Sequence, residues 1–131
     1  MRLTPGPIRS STLKRAAEYI LTAIRLSEQI HDTEKNAIWK MNMGNIEVLT
    51  GNDGIGVKLY EESLLIAKSG GFSRIEAQSH YNLGTQDARM GRYESALKHF
   101  RVAHRLLKVL HSPMLDQIEE HIRFLRSKLS K

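Results

Sequence analysis

Apolar residues recur along this chain at helical spacing. Leu13, Ala16, Ala17, Ile20, Ala23 and Ile24 fall every three or four positions, the period that turns one face of an α-helix toward a core. The strict alternation of a half-buried strand is absent. Proline, the strongest helix breaker, stands only at positions 5, 7 and 113, which leaves residues 8–112 free to run as helix. The pattern predicts an all-α chain behind an extended lead over residues 1–11.

Glycine exposes a repeat. Gly44 and Gly84 are 40 residues apart, and so are Gly51 and Gly91. The same offset pairs Ala37 with Ala77, Asn42 with Asn82 and Met43 with Leu83. It also aligns Ala16/Gly56/Ala96, Ile20/Tyr60/Phe100, Ala23/Ser63/Ala103 and Leu26/Ile66/Leu106. So many matches in one gapless frame define an internal repeat of two helices per unit. First helices (type A) are expected over about 33–50 and 73–90, closed by Gly51 and Gly91 at left-handed cap positions. Second helices (type B) are expected over about 53–69 and 93–110. Ser73 and Glu76 read as a capping box, and Ser112-Pro113 as the start of a last helix over about 113–129. The domain then divides into a half repeat (12–32), two repeats (33–72 and 73–111) and a C-terminal capping helix (112–131). About six helices stack as antiparallel hairpins into an α-solenoid.

These residues resemble the tetratricopeptide repeat, whose signature is a large residue, two spacers and Leu-Gly, followed by Ala-x3-Phe in the second helix. Tyr81-Asn82-Leu83-Gly84 is followed here by Gly91, Tyr93, Ala96, Phe100 and Ala103 at the family's spacing. Asn42-Met43-Gly44, Gly51, Gly56, Tyr60 and Ser63 form a weaker preceding copy. His80 and Lys40 stand where the family usually has Trp, and Asp87 and Glu47 where it often has Tyr. The period of 40, against about 34 in the common form, is similar to the subgroup with extended helices.

Composition narrows the chemistry. There is no cysteine among the 131 residues, which excludes disulfides, thiolate metal sites and cysteine nucleophiles. The six histidines include no His-x3-His pair and no HExxH, so no metal and no cofactor is expected. His104 and His111 are spaced to share a helix face, and the histidines as a group read as surface and packing residues. Gly51-Asn52-Asp53-Gly54-Ile55-Gly56 lacks the Lys-Ser/Thr of a phosphate loop and works as an inter-helix turn. No nucleophile or paired-acid arrangement stands out, and the expectation is a non-enzymatic protein. With no apolar run behind Arg2 and none near the roughly 18 residues of a membrane span, the reading is a cytoplasmic chain.

The functional expectation is therefore a surface. The resemblance implies a groove lined by A helices, in which an A-helix Asn hydrogen-bonds the main chain of a bound peptide. That role falls on Asn42 and Asn82, with Asn45 at another groove-facing position. Asn42, Asn45, Gln78, Asn82, Thr85 and Arg89 recur at spacings of three, four or seven and share one face. Met41 and Tyr81 border that face, and Arg89 favours an acidic or carboxylate feature in the ligand. Met41, Ile118 and Ile122 occupy positions where the carboxylate-clamp subgroup has Lys or Arg, so chaperone-tail capture is not implied. The leading reading is a protein-interaction module whose partner is a protein or peptide.

Charge supplies the rival. The formal net charge is +6, and residues 98–131 hold eight basic side chains against three acidic ones. A basic end can bind nucleic acid, but aromatics make up only 6% and do not interleave the basic run, which ranks this reading second. A regulatory or sensor fragment of a larger signalling protein is a third. The helix over 12–30 is a B helix without an A partner, so self-association through the N-terminal end is also expected.

Overall fold

The computed structural model describes residues 7–130, with side chains from residue 11. It contains six α-helices: α1 (Pro7–Gln29), α2 (Thr33–Leu49), α3 (Asp53–Gly70), α4 (Ser73–Arg89), α5 (Tyr93–Val109) and α6 (Leu115–Leu129). Each helix packs on the next, most extensively within the pairs α2/α3 and α4/α5, while α2 and α4 touch more lightly. This is the expected stack of hairpins, with α2 and α4 as A helices and α3 and α5 as B helices. No strand occurs among the described residues.

Three local expectations need correction. Helix α1 begins at Pro7, not residue 12, because proline at a first helical position loses no intrahelical hydrogen bond; residues 1–6 of the expected lead lie outside the described residues. Ser73 makes no capping bond: Phe72 holds the cap position of α4 without a side-chain contact, and packs instead on the Ala37–Ala67–Ile75 cluster. The last helix starts at Leu115, after a turn in which the Ser112 hydroxyl accepts from the Met114 N–H at 3.1 Å.

Turn geometry repeats as faithfully as the helices. Gly51 and Gly91 close α2 and α4 with positive φ, as the sequence requires. The B helices close on positions 31, 71 and 111, also 40 apart; only the middle one is glycine. His31 (φ 57°) and His111 (φ 52°) adopt the left-handed conformation despite their side chains. His111 therefore lies beyond the end of α5 and does not share a helix face with His104.

Close approach within each hairpin explains the helical glycines. A Cβ on Gly44 would stand 2.7 Å from the Tyr60 ring, and one on Gly56 would stand 2.9 Å from the Gly44 carbonyl oxygen. At Gly84 the same atom would lie 3.2 Å from the Phe100 ring. Tyr60, Phe100, Met43 and Leu83 are buried as expected. Three clusters bridge neighbouring hairpins: Ile20–Met43–Ile46, Ala37–Ala67–Ile75, and a larger one around Ala96, Phe100, Leu107, Ile118 and Leu125. Several buried polar groups are paired across helices as well. Ser63 donates to the Ala37 carbonyl at 2.8 Å, Ser79 lies 3.3 Å from Ser63, and Asn36 donates to Ser27 at 3.1 Å.

The two ends differ. Helix α6 buries Ile118 and Leu125 against the core and turns Glu120, Arg123, Arg126 and Lys128 to solvent. Forty positions after Gly84 stands Phe124, exposed, with the Lys128 ammonium 5.4 Å from its ring centre. A charged outer face of this kind closes a repeat array. Helix α1 exposes Tyr19, Leu21 and Leu26 among its charged residues.

Candidate peptide-binding groove

The expected groove residues lie on the neighbouring A helices α2 and α4. Asn42, Gln78, Asn82 and Thr85 are half-buried, while Asn45 and Arg89 are exposed. Their hydrogen bonds divide them. Thr85 is spent locally, its hydroxyl donating to the Tyr81 carbonyl one turn back at 2.9 Å. Asn45 accepts at Oδ1 from the Tyr60 hydroxyl at 2.6 Å, which leaves its N–H groups to face outward. On α4, Asn82 Nδ2 and Gln86 Nε2 are buried without a hydrogen-bond partner, four residues apart and so on one side of the helix. Arg89 donates from Nη1 to Gln86 Oε1 at 2.7 Å, fixing that amide with its N–H groups turned inward.

Two of these contributors were not foreseen. Tyr60 was assigned to packing alone, and Gln86 sits where the other copy has Ile46, a polar residue at a core position that the repeat frame could have flagged. Burial pushes the Tyr60 hydroxyl up to about 12, with Arg89 lowering it and Asp53 raising it. The phenol therefore stays protonated and acts as a fixed donor to Asn45. These influences also place Arg89 of α4 and Asp53 of α3 in electrostatic reach of a tyrosine hydrogen-bonded to α2.

The two bordering residues are anchored. Met41 Sδ lies 3.9 Å from Ser79 Oγ, between α2 and α4. Tyr81 packs edge-on against Phe100, lies 3.2 Å from His121 Nε2 and accepts from Gln117 Nε2 at 3.1 Å. It thus belongs as much to the α4/α6 contact as to the groove. Burial raises its hydroxyl as well.

Two signature departures turn out to be coupled. His80 is buried, at 8% exposure, and its Nδ1 lies 2.9 Å from Nδ1 of His99 on α5. Nε2 of His99 lies 3.8 Å from Asp87, which also accepts from Ser95. A carboxylate beside Nε2 favours the proton there, so His99 accepts at Nδ1 and His80 donates. Burial, then His99, Lys68 and Arg105, bring His80 down to about 4. Burial lowers His99 too, against the pull of Asp87 and Glu61.

The fold is thus a short array of helical hairpins whose A helices carry a donor-rich polar face. Residues 35–108, more than half of the chain, match the tetratricopeptide repeat family. The chain belongs to that family, a fold of protein-interaction modules. No curated protein matches it closely enough to count as a relative. Among the described residues no helix is long and apolar enough to cross a membrane.

Proposed function

We propose that the chain is a docking module that holds an extended or helical segment of a partner protein across α2 and α4. The observation that carries this reading is the set of uncommitted amide N–H groups on Asn45, Asn82 and Gln86, with Arg89 beside them. Donors without acceptors suit backbone carbonyls or a carboxylate, the groups that a peptide segment presents. Asn82 reaches such a ligand by rotation of its terminal torsion, and Gln86 does so only once Arg89 releases its Oε1. Asn42 and Gln78 extend the contact, Thr85 adds only an acceptor because its hydroxyl proton is committed to Tyr81, and Met41 and Tyr81 offer apolar surface at its edges. The chemistry is binding without catalysis, and no metal or cofactor enters it.

The test is binding of a partner identified by affinity capture, measured by calorimetry. Asn82→Ala should weaken binding by about 1–3 kcal/mol while leaving the melting temperature almost unchanged. Normal binding by Asn82→Ala and by Arg89→Glu would move the site to another face. Self-association through α1 forms a second part of the reading, carried by the apolar side chains that this helix leaves exposed.

A further inference from the structure

Helix α1 is a B helix with no A helix against it among the described residues. At the 40-residue offset, its Ala16, Tyr19, Ala23 and Leu26 correspond to Gly56, Leu59, Ser63 and Ile66 of α3 and to Ala96, His99, Ala103 and Leu106 of α5. In the complete hairpins this stripe receives the A helix: Gly56 abuts Gly44, Ser63 binds the Ala37 carbonyl, and His99 meets His80. Ala96 and Ala103 are fully buried by that contact. On α1 the same stripe is only partly covered: Ala16 packs beside the Ile20–Met43–Ile46 cluster and Tyr19 meets Trp39 edge-on at 6.0 Å. Tyr19 nevertheless stays 68% and Leu26 53% exposed, and Ile30, one residue past the helix, 69%.

We propose that the α1 stripe is filled by α1 of a second copy, running antiparallel about a two-fold axis. This deepens the self-association reading above by giving it residues, direction and register. Ala16, Tyr19, Ala23, Leu26 and Ile30 alternate at spacings of three and four, the seam of a paired helix. Small and large side chains alternate along it. Antiparallel overlay about the level of residue 21 sets each large side chain on a small one: Leu26 on Ala16 of the other copy and Tyr19 on its Ala23. Alanines permit close approach of the helices, and the aromatic and leucine side chains fill the space so left. Beside this seam, Arg15 falls near Gln29 of the other copy and Thr22 near its own counterpart, so no like charges meet. The same surface serves both copies, which closes the assembly at two. Head-to-tail growth is disfavoured by the charged outer face of α6.

Sedimentation equilibrium of the full chain tests the association, and cysteine pairing tests its geometry. The wild-type chain should shift from monomer to dimer between low-micromolar and near-millimolar concentration. Leu26→Glu should weaken dimerisation at least about tenfold, with far-UV circular dichroism unchanged because the side chain is exposed. The chain has no cysteine, so Ala16→Cys and Leu26→Cys can be oxidised alone or mixed. Mixed chains should cross-link, whereas either variant alone should not, since its two cysteines lie ten residues apart, roughly 15 Å along the paired helices. A dimer that cross-links through Ala16→Cys alone would overturn the antiparallel register while leaving self-association standing. A strict monomer throughout the range would overturn both.

Discussion

Acidification should destabilise this protein well above the range in which carboxylates titrate, and the His80–His99 contact sets the amount. At neutral pH both rings are uncharged, one donating and one accepting across 2.9 Å. Protonating His80, at Nε2, puts a cation on a buried ring beside His99, Lys68 and Arg105, and protonating His99 at Nδ1 sets N–H against N–H. The unfolded chain carries no such penalty and takes its protons near 6.5. Between 6.5 and about 4 the unfolded state therefore binds more protons than the native one, and stability falls as pH falls. Above 6.5 the contribution is complete and flat.

The full lowering of His80 corresponds to about 3 kcal/mol at 1.36 kcal/mol per unit. About 2 kcal/mol of that would be lost by pH 5 if the ring were wholly sequestered. Water at the rim, where His99 keeps 26% of its side-chain exposure, reduces the expected loss to about 1–2 kcal/mol. The lowering of His99 acts in the same direction. Urea unfolding followed by circular dichroism at intervals from pH 7.5 to 4.5 measures it, and ring-proton NMR reports the two midpoints. His80→Phe should flatten the profile over this window. Stability that is level from pH 6.5 to 5, or an unchanged slope in His80→Phe, would refute the reasoning.

Phe100→Ala should cost about 3–5 kcal/mol in chemical denaturation, since the ring is 1% exposed in the largest cluster. Gly44→Ala should destabilise by about 1–3 kcal/mol and more than Gly84→Ala, because its added methyl meets the hydrogen-bonded Tyr60 ring at 2.7 Å rather than Phe100 at 3.2 Å. His111→Gly should raise stability by about 0.5–1 kcal/mol in thermal melts, by relieving a left-handed side-chain residue; a loss would show that the imidazole has a compensating contact.

The helices were legible because a gapless repeat makes every position vote twice. The limits of α2 to α5 fall within a residue of those expected, and Gly44, Gly56 and Gly84 pack as their spacing requires. Helix starts were less legible. Ser73 has the composition of a cap, but the chain leaving Gly71 carries Phe72 onto an apolar cluster and begins the helix there. Residue type does not reveal the left-handed histidines, since glycine is the usual mark of that conformation; the alignment of positions 31, 71 and 111 carries the signal. In the groove, spacing identified the face but not which amides are already spent. Asn45 engages Tyr60 from another helix, fifteen residues on, and periodicity within one helix does not register such a bond. Likewise His80 and Asp87 stood out singly as departures from the family pattern. Their joint replacement by a hydrogen-bonded pair depends on His99, which no motif includes.

The difference between the two ends has a practical consequence for building with this chain. A longer groove made by adding consensus hairpins is feasible before α1, where Ala16 and Ala23 already have the size that a further A helix requires. The same graft after α6 fails for a local reason. An incoming B helix would meet Phe124 where the complete hairpins offer glycine, and it would strip water from Arg123 and Lys128 without supplying a counter-charge. As a construction part, the chain is a terminator that accepts extension from one direction, and a single substitution at position 124 would not convert it into a connector.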